Sequence, residues 1–150
     1  MNKNLLYKSK SLTFFTPKSS EGLGAIFLDT GISAGFPSPA EDFKEERISL
    51  DSELVKNKEA TFYARVSGQS MIGAGLDDND LLVIDRSLEP ADNKIAVCFL
   101  DGEFTVKRLK MNKEGLWLQP ENPDYPNIKI TEDNDFVIWG IVTNVIKRVY

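Results

Sequence analysis

Ser70 is the residue whose surroundings first suggest chemistry. It lies in "ARVSGQSMIGAG", residues 64–75, after an apolar run that is typical of a strand and between small residues. A nucleophilic serine needs a base to take its proton, and that base is most often a histidine. The chain contains no histidine. Because glycine-serine turns are also common without any catalytic role, Ser70 by itself is a weak signal.

A lysine is the remaining base known to serve a serine. It must be neutral, and lowering its pKa from about 10.4 to about 7–8 takes roughly 3–4 kcal/mol of differential desolvation, which a buried strand position supplies. Lys107, in "GEFTVKRL", fits best. Since side chains alternate along a strand, Thr105 and Lys107 share a face, and we expect the Thr105 hydroxyl to hydrogen-bond and orient the Lys107 amine. The alternative is a lysine on an exposed strand face.

Other residues with chemical potential have simpler interpretations. Cys98 lies within an apolar strand and has no histidine to activate it, so we expect a small buried hydrophobic residue. The acidic run 77–80, "DDND", lacks the ligand spacing of a calcium loop and predicts a solvated turn before a strand. Trp117 and Trp139 lie in strand patterns and are expected to pack in the core.

The elements that must position Ser70 and Lys107 are predicted to be strands, so the fold class is mostly β. From residue 60 onward, short runs rich in β-branched and aromatic residues recur at intervals of roughly ten residues. An Asp-Gly pair in "LDGEF", residues 100–104, predicts a hairpin. The predicted strands span 61–67, 80–87, 94–100, 103–109, 115–120, 127–130 and 136–150.

The first part of the chain has a different character. Residues 1–34 hold short apolar clusters without a sustained period, which predicts a partly extended arm that buries no core of its own. Residues 31–43, with two glycines and two prolines, are the most linker-like segment. The charged "AEDFKEER" that follows, residues 40–47, predicts a short helical turn.

Composition narrows the class of protein. The 150 residues suffice for one main domain, and the net charge of −5 argues against direct, sequence-specific DNA binding by the chain itself. A single cysteine favours a reducing compartment. No apolar run approaches the ~20 residues of a membrane helix, and we therefore expect a cytoplasmic protein without membrane attachment.

Several segments, in order, resemble one family. "VSGQSM", "DLLVIDRS", "DGEFTVKRL", "NPDYPNI" and "IWGIVTNVI" are similar to the self-cleaving peptidase domain shared by LexA-type repressors and UmuD-like proteins. The resemblance covers residues 34–150 and implies a compact LexA-like β domain of short antiparallel strands. It implies a Ser-Lys dyad of Ser70 and Lys107, with Thr105 in the lysine motif and Gly68 and Met71 in the serine motif as supporting residues.

The resemblance also implies a cleavage site. The family cuts its own backbone at an Ala-Gly or Cys-Gly bond ahead of the catalytic domain, and "SAGFPSP" supplies Ala34-Gly35. The small residues there let a carbonyl reach a recessed serine, and the prolines favour an extended peptide. The domains implied are an arm, 1–34, removed by self-cleavage, a linker and entry segment, 35–59, and a peptidase domain, 60–150.

A short arm that lacks the three helices of a helix-turn-helix domain, in a chain that is acidic overall, favours the UmuD-like branch. That branch implies a homodimer, cleavage promoted by a RecA–single-stranded DNA filament, and a cleaved form that joins a UmuC-like Y-family polymerase subunit in translesion synthesis. No metal or cofactor is needed. Three alternatives stay open: a LexA- or phage-repressor-like autoprotease that regulates transcription, a repressor-like or signal-peptidase-like Ser-Lys protease that cuts another chain, and a non-enzymatic β-rich interaction module.

Overall fold

The computed structural model describes residues 5–8, 11–17, 25–27, 46–69 and 71–149. The chain divides into two units, one formed by Met1–Lys18 with Asn57–Tyr150 and the other by Ser19–Lys56. The second unit contains a short antiparallel pair, β3 (Ala25–Phe27) and β4 (Glu46–Ile48), and the helix α1 (Leu50–Leu54).

The first unit is one antiparallel sheet, which confirms the mostly β prediction. Its strands lie in the order β1-β2-β5-β6-β11-β7-β8-β9-β10. Each strand that was predicted from residue 60 onward is present, most with slightly shorter bounds. The bounds are β1 Leu5–Lys8, β2 Leu12–Phe15, β5 Thr61–Val66, β6 Leu81–Asp85, β7 Ile95–Leu100, β8 Glu103–Asn112, β9 Gly115–Gln119, β10 Ile128–Lys129 and β11 Phe136–Ile146.

The hairpin between β7 and β8 confirms the turn predicted from the Asp-Gly pair. Asp101 has φ 48° and Gly102 has φ 90°, the left-handed backbone that a two-residue hairpin turn requires. The pairing runs from Leu100 opposite Glu103 to Ile95 opposite Arg108. The turn therefore fixes the register that places Lys107 opposite Ala96.

The two faces of β8 pack against different parts of the core. Val106 belongs to the larger hydrophobic cluster, together with Met71. Leu109, two positions after Lys107, belongs to the second cluster with Ala96 and Cys98. Lys107 therefore projects toward the second cluster, because alternate residues of a strand share a face.

The amino-terminal segment contributes to this core, although its four-residue strand is too short to show a period in the sequence. β2 pairs with the edge of β5, from Leu12 opposite Val66 to Phe15 opposite Tyr63. Leu12 and Phe14 are buried in the larger cluster, at 1% and 2% exposure. Leu12 and Phe14 thus bury their side chains against the rest of the first unit, and the segment needs no core of its own.

The helical turn predicted over 40–47 is wrong for residues 46 and 47, which lie in β4. Residues 40–45 lie outside the described residues. The helix begins instead at Leu50, because the Ser49 side chain accepts a hydrogen bond from the backbone of Ser52 and caps the first turn.

Candidate active site

Lys107 lies at the centre of β8 with its amine held by two oxygens. Its Nζ donates to Thr105 Oγ1 at 2.6 Å and to the Val106 carbonyl oxygen at 3.1 Å. The hydrogen bond expected between Thr105 and Lys107 is therefore present. Lys107 is 7% exposed, so the alternative of a lysine on an exposed strand face is wrong.

The neighbours of Lys107 explain its electrostatics. Ala96 stands opposite it, and both Ala96 and Cys98 on β7 are fully buried. Burial lowers the pKa of the Lys107 amine below its ordinary value, because the apolar surroundings disfavour the ammonium form. Burial likewise raises the pKa of the Cys98 thiol to about 12, so this residue is the inert buried side chain that its sequence predicts.

The residues flanking Ser70 form a segment between β5 and β6 whose ends are tied together. Val66 donates its N–H to the Asp80 carbonyl at 2.9 Å, and Asn79 donates to the Val66 carbonyl at 2.8 Å. Met71, at 3% exposure, anchors the segment in the larger core cluster. Gly68 has φ +109°, a conformation that side chains rarely adopt, which is a physical reason for a glycine two positions before Ser70.

The hydrogen bonding of Gly68 narrows the groups that are available for an oxyanion. The Gly68 N–H donates to Asp78 Oδ1 at 3.0 Å. A nucleophilic serine needs backbone N–H donors for the oxyanion that its attack creates, and this contact already uses the donor of Gly68. It leaves the amides that follow Gly68 as the candidates.

Two cavities show how the serine segment and β8 adjoin. A small cavity of about 30 Å³ has Ser67, Gly68 and Met71 on one wall and Thr105 on another. An open cleft of about 220 Å³ has Lys107 in its lining, together with Leu100, Glu103, Thr105, Tyr125, Pro126 and Ile128. Thr105 borders both cavities. The structure therefore brings together four of the predicted site residues: Gly68, Met71, Thr105 and Lys107.

The other three predicted site residues lie outside the described residues. These are the candidate nucleophile Ser70 and the two residues of the candidate cleavage site, Ala34 and Gly35. Their roles stay predictions.

Sequence reasoning missed a loop that touches both sides of position 70. Asn122 donates from Nδ2 to the Gln69 carbonyl at 2.7 Å, and the Glu121 carbonyl accepts from the Gly73 N–H at 2.7 Å. Both residues belong to the segment after β9. The motif "NPDYPNI" contains Asn122, but nothing in its composition indicates a contact with a residue 53 positions away.

The acidic run 77–80 is only partly the solvated turn that its sequence predicts. Asp77, Asp78 and Asn79 are exposed, whereas Asp80 is 5% exposed and forms an ion pair with Lys147. Across the described part of the chain, no group of three or more His, Cys, Asp or Glu side chains is arranged to hold a metal ion. The helices that the structure describes are also too short or too polar to cross a membrane.

Comparison with known protein families shows which family contains the chain with this serine segment and lysine strand. The family model described as "Peptidase S24-like" matches residues 26–143. The chain belongs to the Peptidase S24-like family. This family includes self-cleaving serine peptidases. The match spans both the serine segment and β8.

Known relatives in the family include UmuD-like proteins. MucA of Salmonella typhimurium is 44% identical over 114 residues, which cover 75% of this chain and 77% of MucA. ImpA of Salmonella typhimurium is 43% identical over 123 residues, 82% of this chain and 83% of ImpA. The LexA repressor of Delftia acidovorans is 35% identical over 140 residues, 93% of this chain and 62% of the repressor. The relatives thus support an autoprotease of SOS mutagenesis.

Proposed function

We propose that the protein cleaves its own Ala34-Gly35 bond with a dyad of Ser70 and Lys107. The observation that carries the proposal is the buried Lys107 amine, held by Thr105 on the strand that borders the serine segment. A desolvated lysine with a lowered pKa is the kind of base that a serine requires when no histidine is present. The open cleft beside Lys107 offers room for an extended peptide.

In the proposed reaction, neutral Lys107 takes the proton of the Ser70 hydroxyl as its oxygen attacks the carbonyl carbon of Ala34. Backbone N–H groups after Gly68, including that of Ser70, stabilise the oxyanion. The bond from Ala34 to Gly35 then breaks, and Lys107 returns the proton to the departing Gly35 amine. Water, activated by Lys107, hydrolyses the Ser70 ester. The products are residues 1–34 and residues 35–150, and no cofactor takes part.

The UmuD-like proteins MucA and ImpA support a role in SOS mutagenesis. We infer a cytoplasmic homodimer whose cleavage is promoted by a RecA–single-stranded DNA filament. Its shortened form then serves as a subunit of an error-prone translesion polymerase with a UmuC-like partner. A filament that favours the conformer with the Ala34-Gly35 peptide in the cleft accelerates cleavage by shifting a population.

The intact mass of the purified protein, followed over time at increasing pH, tests the proposal. Cleavage is expected to accelerate as Lys107 deprotonates and to give one pair of fragments, joined at Ala34-Gly35. Leu12 and Phe14 pack in the core, and cutting the Ala34-Gly35 bond removes none of these contacts. The fragments are therefore separated under denaturing conditions. Adding RecA, single-stranded DNA and a nucleotide is expected to raise the rate at neutral pH.

Matched variants identify the groups responsible. Ser70→Ala and Lys107→Ala are expected to abolish cleavage. Ser67→Ala, three positions earlier, and Lys110→Ala, on the same strand with its amine bonded to Asn93, are expected to cleave normally. Persistent cleavage in either dyad variant, or a cut at another bond, would contradict the mechanism. An uncut chain that instead cleaves an added peptide would favour a protease acting on other chains.

A further inference from the structure

Asn122 lies in the loop after β9 and contacts the segment that carries Ser70. Its side chain is buried, at 6% exposure, and Nδ2 donates to the Gln69 carbonyl at 2.7 Å. The other end of the same amide, Oδ1, accepts from the Asp124 N–H at 3.0 Å. Rotating the amide by half a turn would set an oxygen against a carbonyl and an NH₂ against an N–H, so the two contacts together fix its orientation.

A second contact attaches the same loop to the chain after position 70. The Gly73 N–H donates to the Glu121 carbonyl at 2.7 Å. A Cβ atom at Gly73 would lie 2.4 Å from that carbonyl oxygen, so the two backbones approach as closely as a glycine allows. Consecutive residues, 121 and 122, thus hold positions 73 and 69, which flank position 70 in the sequence.

The loop is also attached to the strand of the candidate base. The Glu121 carboxylate forms an ion pair with the Arg108 guanidinium, and Arg108 follows Lys107 in β8. Loop 120–122 therefore connects the serine segment to β8 through named contacts on each side. This arrangement limits the relative displacement of the two elements that the proposed reaction requires.

We propose that Asn122 is a positioning residue for the self-cleavage reaction, which holds the Gln69 carbonyl and thereby sets the direction of the Ser70 N–H. The inference rests on the proposed function. In a planar trans peptide, the carbonyl of one residue and the N–H of the next point in opposite directions. Hydrogen bonds that hold the Gln69 carbonyl therefore also aim the amide that would stabilise the oxyanion. The bond from Asn122, at 2.7 Å, is the shorter of two, since the Ile72 N–H also donates to this carbonyl at 3.3 Å. Misplacement of an oxyanion donor commonly slows a reaction by about 10- to 100-fold.

The variant Asn122→Asp removes the donor and adds a carboxylate charge. Aspartate keeps the acceptor for the Asp124 N–H and the volume of the side chain, but it has no N–H to give to Gln69. Asn122→Ala removes both contacts without adding a charge. We expect both variants to lower the self-cleavage rate by about 10- to 100-fold on the alkaline plateau of the pH–rate profile. Asn122→Ala is expected to leave the midpoint of the pH–rate profile unchanged, because the defect lies in the oxyanion donor and not in the base.

Asn134→Ala is the matched control. Asn134 also accepts a local backbone N–H, from Thr131 at 2.9 Å, and donates across the fold, to Asp101 at 2.9 Å, but it lies in the turn before β11. It is expected to cleave at the wild-type rate. All rates are compared well below the lowest melting temperature of the set, and the ¹⁵N–¹H NMR signals of Gln69 and Ser70 are expected to shift in the Asn122 variants alone.

The outcomes separate this inference from the proposed function. If the wild-type chain does not cleave, or Ser70→Ala cleaves, the proposed function fails. If cleavage depends on Ser70 but Asn122→Asp reaches the wild-type rate at alkaline pH, the positioning role of Asn122 is overturned. It is also overturned if Asn122→Ala moves only the midpoint of the profile, because Asn122 would then act on Lys107.

Discussion

Two lysines in different regions of the sheet show how surroundings decide the chemistry of one side chain. Lys107, in the middle of β8, is 7% exposed and donates to a hydroxyl and a carbonyl, both uncharged. Lys147, just after β11, has a side chain that is 40% exposed and donates to the carboxylates of Asp77 and Asp80. Burial lowers the pKa of Lys107, whereas hydrogen bonds to Asp77 and then Asp80 raise the pKa of Lys147.

The difference teaches that the charge of the groups that accept from a lysine amine affects its pKa in addition to burial. A carboxylate beside a buried amine would stabilise the ammonium form and so raise the pKa that desolvation lowers. Thr105 and the Val106 carbonyl orient the Lys107 amine without supplying a negative charge. Lys147 has the opposite arrangement and ties the end of the sheet to the turn that follows the serine segment.

The largest expected effect comes from replacing each lysine by arginine. A guanidinium stays protonated, so Lys107→Arg is expected to reduce self-cleavage by at least about 100-fold at every accessible pH. Lys147→Arg keeps a cation beside Asp77 and Asp80 and is expected to cleave at the wild-type rate. Intact mass measured over time checks both variants. Equal rates in the two variants would remove the distinction drawn between these lysines.

Thr105→Asp gives Lys107 a partner like those of Lys147. The carboxylate is expected to raise the pKa of the Lys107 amine, which moves the pH–rate profile of cleavage to higher pH and lowers the rate at neutral pH by about tenfold or more. Thr105→Asn adds a polar group of similar size without charge and serves as the control. The prediction fails if the two variants have the same midpoint.

Lys147→Met tests the structural lysine. Loss of the amine leaves the buried Asp80 carboxylate without its cation, and we expect the melting temperature at neutral pH to fall by a few degrees. Because the pKa of Lys147 is raised in the folded state, its contribution is present below the ordinary lysine pKa and is lost as pH rises through the folded value. The difference from wild type in thermal unfolding should therefore narrow at strongly alkaline pH. A constant difference would contradict the ion pair as its cause.

Lys107→Met is expected to have the smallest effect on the free energy of unfolding, and to increase stability where Lys147→Met decreases it. Because burial lowers the pKa of Lys107, the unfolded chain binds the proton more tightly, and wild-type stability increases with pH from the folded pKa up to the ordinary lysine value. The inactive methionine variant is expected to be more stable at neutral pH, by on the order of 1 kcal/mol, and this gain should shrink at alkaline pH. Chemical denaturation at the two pH values measures it. A less stable variant at neutral pH would show that the buried amine contributes to folding.

The strands from residue 60 onward were predictable because local signals agree with one another. The Asp101-Gly102 pair dictates a hairpin, and the alternation in "EFTVKRL" puts Thr105 and Lys107 on one face. Local sequence does not indicate, however, which strand a short strand pairs with. β2 has four residues, and only its pairing with β5 buries Leu12 and Phe14.

The sequence by itself determined the chemistry to look for: a serine without histidine, a lysine on a strand and a threonine two residues before it. The tertiary structure alone decided that β7 buries the face of Lys107, that Asp80 is buried beside Lys147, and that Asn122 reaches Gln69. The physical reason is range. Side-chain alternation and turn geometry are set by neighbouring residues, whereas desolvation and the partners of a buried polar group depend on residues that are distant in the chain.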